Sequence, residues 1–131
     1  MEQDKFAEGD KAIEQLKKEF KAIVLSSKTF QEKVETMTEA FQKAAPEWNL
    51  KGDDRVLSMM SIEAGSSIDE IADAEIKIIE DSQDSIEEKR AKLESLKKEI
   101  DKIPWLAEGF KSSLNVKITF SSAGIKLGVK F

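Results

Sequence analysis

The sequence predicts a mainly α-helical chain: a long antiparallel helical hairpin, or a small helical bundle, closed by a C-terminal β-hairpin. Three observations predict it. Apolar residues hold one heptad phase from Phe6 to Ala44, a second heptad series runs from Ile79 to Ile103, and the apolar period drops to two after Ser113.

In the first segment, Phe6, Ile13, Phe20, Ser27, Val34 and Phe41 are seven apart, and Gly9, Leu16, Ile23, Phe30, Met37 and Ala44 form the companion series. These are the a and d positions of a heptad whose other sites are mostly polar. The unbroken phase favours one helix over residues 4–45, stopped by Pro46. A competing reading breaks the chain near Ser26 and restarts it at Phe30. Val24–Thr29 is poor in strong helix formers, and Thr29 with Glu32 fits a capping box. That reading gives shorter helices in a four-helix arrangement.

Residues 46–66 read as a connector, punctuated by Pro46, Asn49, Gly52 and the run Gly65-Ser66-Ser67. Asp53 or Asp54 can cap a short helix carrying Val56, Leu57 and Met60, with Trp48 and Leu50 buried against the long helices. A second long helix is expected over 67–103. Ser67 and Glu70 form its capping box, and Ile79, Ile86, Leu93 and Ile100 its seam. Glu75, Ser82 and Lys89 are polar members of the companion series, and Pro104 ends the helix. Met59-Met60 and Trp105-Leu106 read as packing groups.

The last segment alternates. Leu114, Val116, Ile118 and Phe120 are followed, after Ser122-Ala123-Gly124, by Ile125, Leu127, Val129 and Phe131. Period two around a small-residue turn reads as a β-hairpin over 113–131, with one apolar and one basic face. Charge is segregated along the chain. Residues 67–88 hold nine acids and one base, whereas residues 109–131 hold four lysines and no acid.

Composition narrows the chemistry. The 131 residues suit one domain, and a net charge of −5 does not suit a nucleic-acid binder. There is no Cys and no His, which removes thiol chemistry, thiolate metal sites and the commonest general base. No Ser-His-Asp set, phosphate-binding glycine loop, zinc signature or calcium loop is present. The expectation is therefore a non-enzymatic interaction or assembly module without cofactor, metal or small-molecule substrate. Its partner is another protein or a second copy, and its docking element is the basic hairpin. The residues singled out are Lys117, Lys126 and Lys130, with Ile125, Leu127, Val129 and Phe131.

The alternative is a membrane-active protein. It would place the amphipathic hairpin, or the Phe-rich stretch Phe20–Leu25, on lipid. Long helices with an amphipathic hairpin resemble, at the level of fold alone, α-helical pore-forming toxins with a β-tongue, and also prefoldin-like chaperones. Neither likeness rests on a specific motif, and neither assigns a role to any residue. No N-terminal apolar run suggests a signal peptide, and no stretch is long enough to span a bilayer.

Overall fold

A computed structural model describes the backbone of residues 2–127 and the side chains of residues 7–125. Five helices follow one another: α1 (Glu2–Leu25), α2 (Phe30–Leu50), α3 (Asp54–Asp81), α4 (Ile86–Asp101) and α5 (Glu108–Leu127). The chain packs as two compact units, residues 1–68 and residues 69–131, and α3 contributes to both.

In the first unit, α1 does not run on to Pro46. The Ser26 amide and hydroxyl both turn back onto the Ile23 carbonyl, at 3.1 and 2.6 Å, which competes with continuing the helix. Thr29 then caps α2. Its Oγ1 accepts from the Glu32 amide at 3.2 Å, and the Glu32 carboxylate accepts from the Thr29 amide at 3.2 Å. The expected 4–45 helix is thus two helices, and α2 returns along α1 so that Trp48 lies beside Gly9. The heptad phase survives the break because residues 26–29 count for about one helical turn.

Pro46 does not end a helix either. It sits exposed inside α2, and the helix continues far enough to bury Trp48 at 4% exposure. The interior proline costs about 3 kcal/mol, and burying an indole of about 200 Å² returns a comparable amount. The terminus is a Schellman turn. Gly52, at φ 66°, donates to the Asn49 carbonyl, and Asp53 donates to the Trp48 carbonyl, both at 3.1 Å. Asp53 also caps α3, accepting from the Val56 amide at 3.2 Å. The connector is therefore three residues, and the expected 46–66 segment lies mostly inside α2 and α3. Leu50, expected to be buried, is 88% exposed.

Within this unit α3 runs parallel to α1. Gly9 faces Val56, and the Lys17 ammonium lies 3.9 Å from the Glu63 carboxylate. Ile13, Leu16, Phe20, Phe30, Met37, Val56, Met60 and Ala64 are buried.

The expected 67–103 helix is also two helices. Gly65-Ser66-Ser67 lies within α3, where the Ser67 hydroxyl donates to the Glu63 carbonyl instead of capping a new helix. The break comes at residues 82–85, and Ser85 caps α4 by accepting from the Glu88 amide at 3.2 Å.

The two interhelical turns are built alike. Lys21, Ile23, Ser26, Thr29, Glu32 and Lys33 recur 56 residues later as Lys77, Ile79, Ser82, Ser85, Glu88 and Lys89. Their bonds recur as well. Ser82 turns its amide and hydroxyl onto the Ile79 carbonyl at 3.3 and 2.8 Å. Lys33 reaches across the first turn to the Val24 carbonyl at 2.9 Å, and Lys89 across the second to the Glu80 carbonyl at 2.7 Å. Gly9 and Gly65, both buried, share the same spacing. The chain thus contains a repeated helical hairpin, α1–α2 and α3–α4, followed by α5.

The expected C-terminal β-hairpin is absent: residues 108–127 form α5, and no strand occurs among the described residues. Leu114 and Ile118 are four apart, and Ser121 and Ile125 continue the same helical face. In so short a window, alternation and helical spacing share residues, and packing against α3 and α4 decides between them. Ser122-Ala123-Gly124, read as a turn, lies instead in the helix, with Gly124 buried, and so does the buried Ser121 before it. Residues 128–131, including Val129, Lys130 and Phe131, lie outside the described part.

Candidate interaction surface

Helix α5 is rich in Val, Ile, Phe, Thr and Ser, which are middling helix formers, so its neighbours rather than its propensity hold it. On its inner face Leu114 is fully buried and Ile118 is 2% exposed. Polar contacts surround this narrow apolar strip. Asn115 donates to Asp101 at 3.1 Å and Arg90 donates to Ser122 at 3.2 Å, which ties α5 to α4. The buried Ser121 hydroxyl donates to the Glu80 carboxylate of α3 at 2.7 Å.

Lys117 completes the join to α3. Its ammonium donates to Asp69 at 2.9 Å and to both oxygens of Asp73 at 3.1 and 3.2 Å. The hydrogen bond to Asp69 is the main cause that raises its pKa above the ordinary lysine value, with Asp73 adding to it against a desolvation penalty. Lys117, expected to be a free docking cation, therefore spends its charge inside the unit. The same pairing gives the acidic run of α3 an internal role, since two of its carboxylates receive a lysine of this chain.

The other singled-out residues fall at the end of α5. Ile125 is half-buried. Lys126 and Leu127 lie in the last helical turn, with side chains outside the described part, as are Val129, Lys130 and Phe131.

Sequence reading overlooked the outer face of α5. Val116 and Phe120, one turn apart, are 56% and 64% exposed, and Ser112, Ser113, Thr119 and Ala123 are exposed beside them. Residues 112–125 contain one charged side chain, Lys117, and its ammonium is paired with α3. In a chain that is 36% charged, this face carries no free charge among the described side chains. The signal lay in the alternation itself. Laid on a helix, Leu114 and Ile118 share one side and Val116 and Phe120 another, so one set must face away from the core.

Other surfaces offer less. Leu25, Leu50 and Ile86 are exposed singly at helix ends, and Met59 and Ile62 make a smaller pair on α3. A shallow depression on α1 is lined by Asp10, Lys11, Glu14, Gln15 and Lys18, where both signs of charge mix. Among the described residues no group of acids could hold a metal ion, and no helix is long and apolar enough to cross a membrane. No family model, no curated protein and no solved structure matches the chain.

Proposed function

We propose that the chain is a non-enzymatic protein-interaction and assembly module that docks through the outer face of α5. The observation that carries this is the pair Val116 and Phe120, held in water one turn apart on a face with no free charge among the described side chains. Large apolar side chains grouped on a polar protein surface are the usual mark of a contact site, and an aromatic at its centre supplies most of the binding energy. The second unit supplies the support, with α5 fastened to α3 and α4 by Lys117, Ser121 and Asn115.

A photocrosslinking residue placed at 120, compared with one at the exposed Glu94 of α4, tests the reading. A protein adduct of defined mass formed from 120 and not from 94 is expected. Absence of any specific adduct from 120, own copies included, sinks it. Flotation with anionic vesicles separates the membrane alternative. Binding that is lost in Phe120→Glu would move the same face to a lipid surface.

A further inference from the structure

We infer that the occupant of this face is a second copy of the chain, with α5 packed antiparallel on α5. The inference rests on the reading just given and names its partner. Both units join one helix of the repeat to the next through opposite charges. Lys17 meets Glu63 and Arg55 meets Asp10 between α1 and α3, whereas Lys117 meets Asp69 and Asp73 between α3 and α5. The outer face of α5 would lie at the next such join, and among its described side chains it carries no free charge to offer a helix of that kind.

A neutral face is instead suited to its own image. In a two-fold pair residue i meets residue j and j meets i, so every charge on a stripe needs an opposite charge at the mirrored position, whereas an uncharged stripe is compatible with its copy as it stands. Copies with net charge −5 repel at long range, and contact through an uncharged stripe adds no local repulsion to that cost.

The order of sizes along the face is self-complementary. With the two-fold axis near residue 118, Phe120 of one copy stacks on Val116 of the other, and Ala123 lies opposite Ser113. Bulk meets bulk at the centre, and small residues at both ends let the helices approach to about 8–10 Å. A face of six residues falls short of the roughly 800 Å² per partner of a standard interface, so the pair is weak and reversible.

Sedimentation equilibrium of the full chain, from about 10 μM to about 1 mM, tests this. The mass is expected to rise from the 14.7 kDa monomer toward twice that value. Phe120→Glu should weaken association by about tenfold or more and Phe120→Leu by far less. Helicity should be unchanged in both, because position 120 is 64% exposed. The chain has no native Cys, so Ser113→Cys and Ala123→Cys chains, mixed and oxidised, report the register. A 113–123 disulfide is expected, and a preference for 123–123 overturns the antiparallel pair. A monomer at every concentration, or a Phe120→Glu chain that associates like its parent, also overturns the inference. If the chain stays monomeric while the crosslinker at 120 still marks a foreign protein, the homotypic contact fails and the interaction reading stands.

Discussion

Gly9 shows how one residue fixes a helix pair. In the heptad it is a weak a/d member, and the structure explains why. A Cβ there would lie 2.7 Å from the Val56 methyl and 3.0 Å from the Arg55 guanidinium. Val56 is fully buried, so its branched side chain has nowhere to retreat. Gly9→Ala gains about 1 kcal/mol of helix propensity and loses about 2–3 to overpacking. A net destabilisation of about 1–2 kcal/mol by urea unfolding is expected. A stabilised variant would mean that α1 and α3 part easily. At this scale the sequence was readable where a side chain has one task. Thr29 with Glu32 and Asp53 as caps were legible, because a short polar residue before a helix satisfies its free amides. Ser85 was missed because the series Ile79, Ile86, Leu93 and Ile100 runs across it without losing phase.

The unit of construction among the elements is the turn between helices. Both turns hold the last carbonyls of the incoming helix with a lysine from the outgoing one, Lys33 on Val24 and Lys89 on Glu80. The charge favours the negative helix end, and the stem covers apolar surface. Lys33→Met and Lys89→Met should each cost about 1 kcal/mol, by similar amounts in thermal melts. A large difference between them would show that the resemblance of the turns does not extend to their energetics. Element type was legible over residues 4–45 and 67–103, since heptad spacing marks helices whether or not they break, but not over 46–66, which reads as a connector and is mostly helix. The breaks were not, because a turn of about one helical period leaves the count intact. Pro46 and Gly65-Ser66-Ser67 misled in the other direction. Local breaking tendency is overruled where Trp48 and Ala64 bury surface. In α5 the apolar alternation was read correctly, and the geometry that it serves was not.

Across the whole molecule the two units differ in which ionic contacts they need. Glu32 in the first unit is held below its ordinary pKa mainly by the Thr29 amide, and Asp84 in the second mainly by Lys92. A lowered carboxyl pKa gives stability that is present above the unfolded value and lost as pH falls through the folded one. Both units should therefore weaken in acid. Raised lysines occur in the second, where Asp84 lifts Lys92 and Asp69 lifts Lys117. Their contribution is complete below the unfolded lysine value and is lost as pH rises through the folded one. Amide exchange mapped against pH should show α4 and α5 losing protection before α1 and α2 on the alkaline side. Equal loss in both halves would mean that these lysine pairs do not hold the second unit together.

The two tryptophans fall one to each unit. Trp48 is buried at the end of α2 beneath the Lys51 ammonium, 4.4 Å from its ring centroid, and Trp105 is half-buried in the segment between α4 and α5. With no tyrosine in the chain, indole emission is the only strong intrinsic fluorescence. Trp48→Phe leaves a chain that glows from the second unit alone, and Trp105→Phe one that glows from the first. The fold thus carries its own pair of optical labels, and the order in which its halves come apart can be watched without attaching a dye.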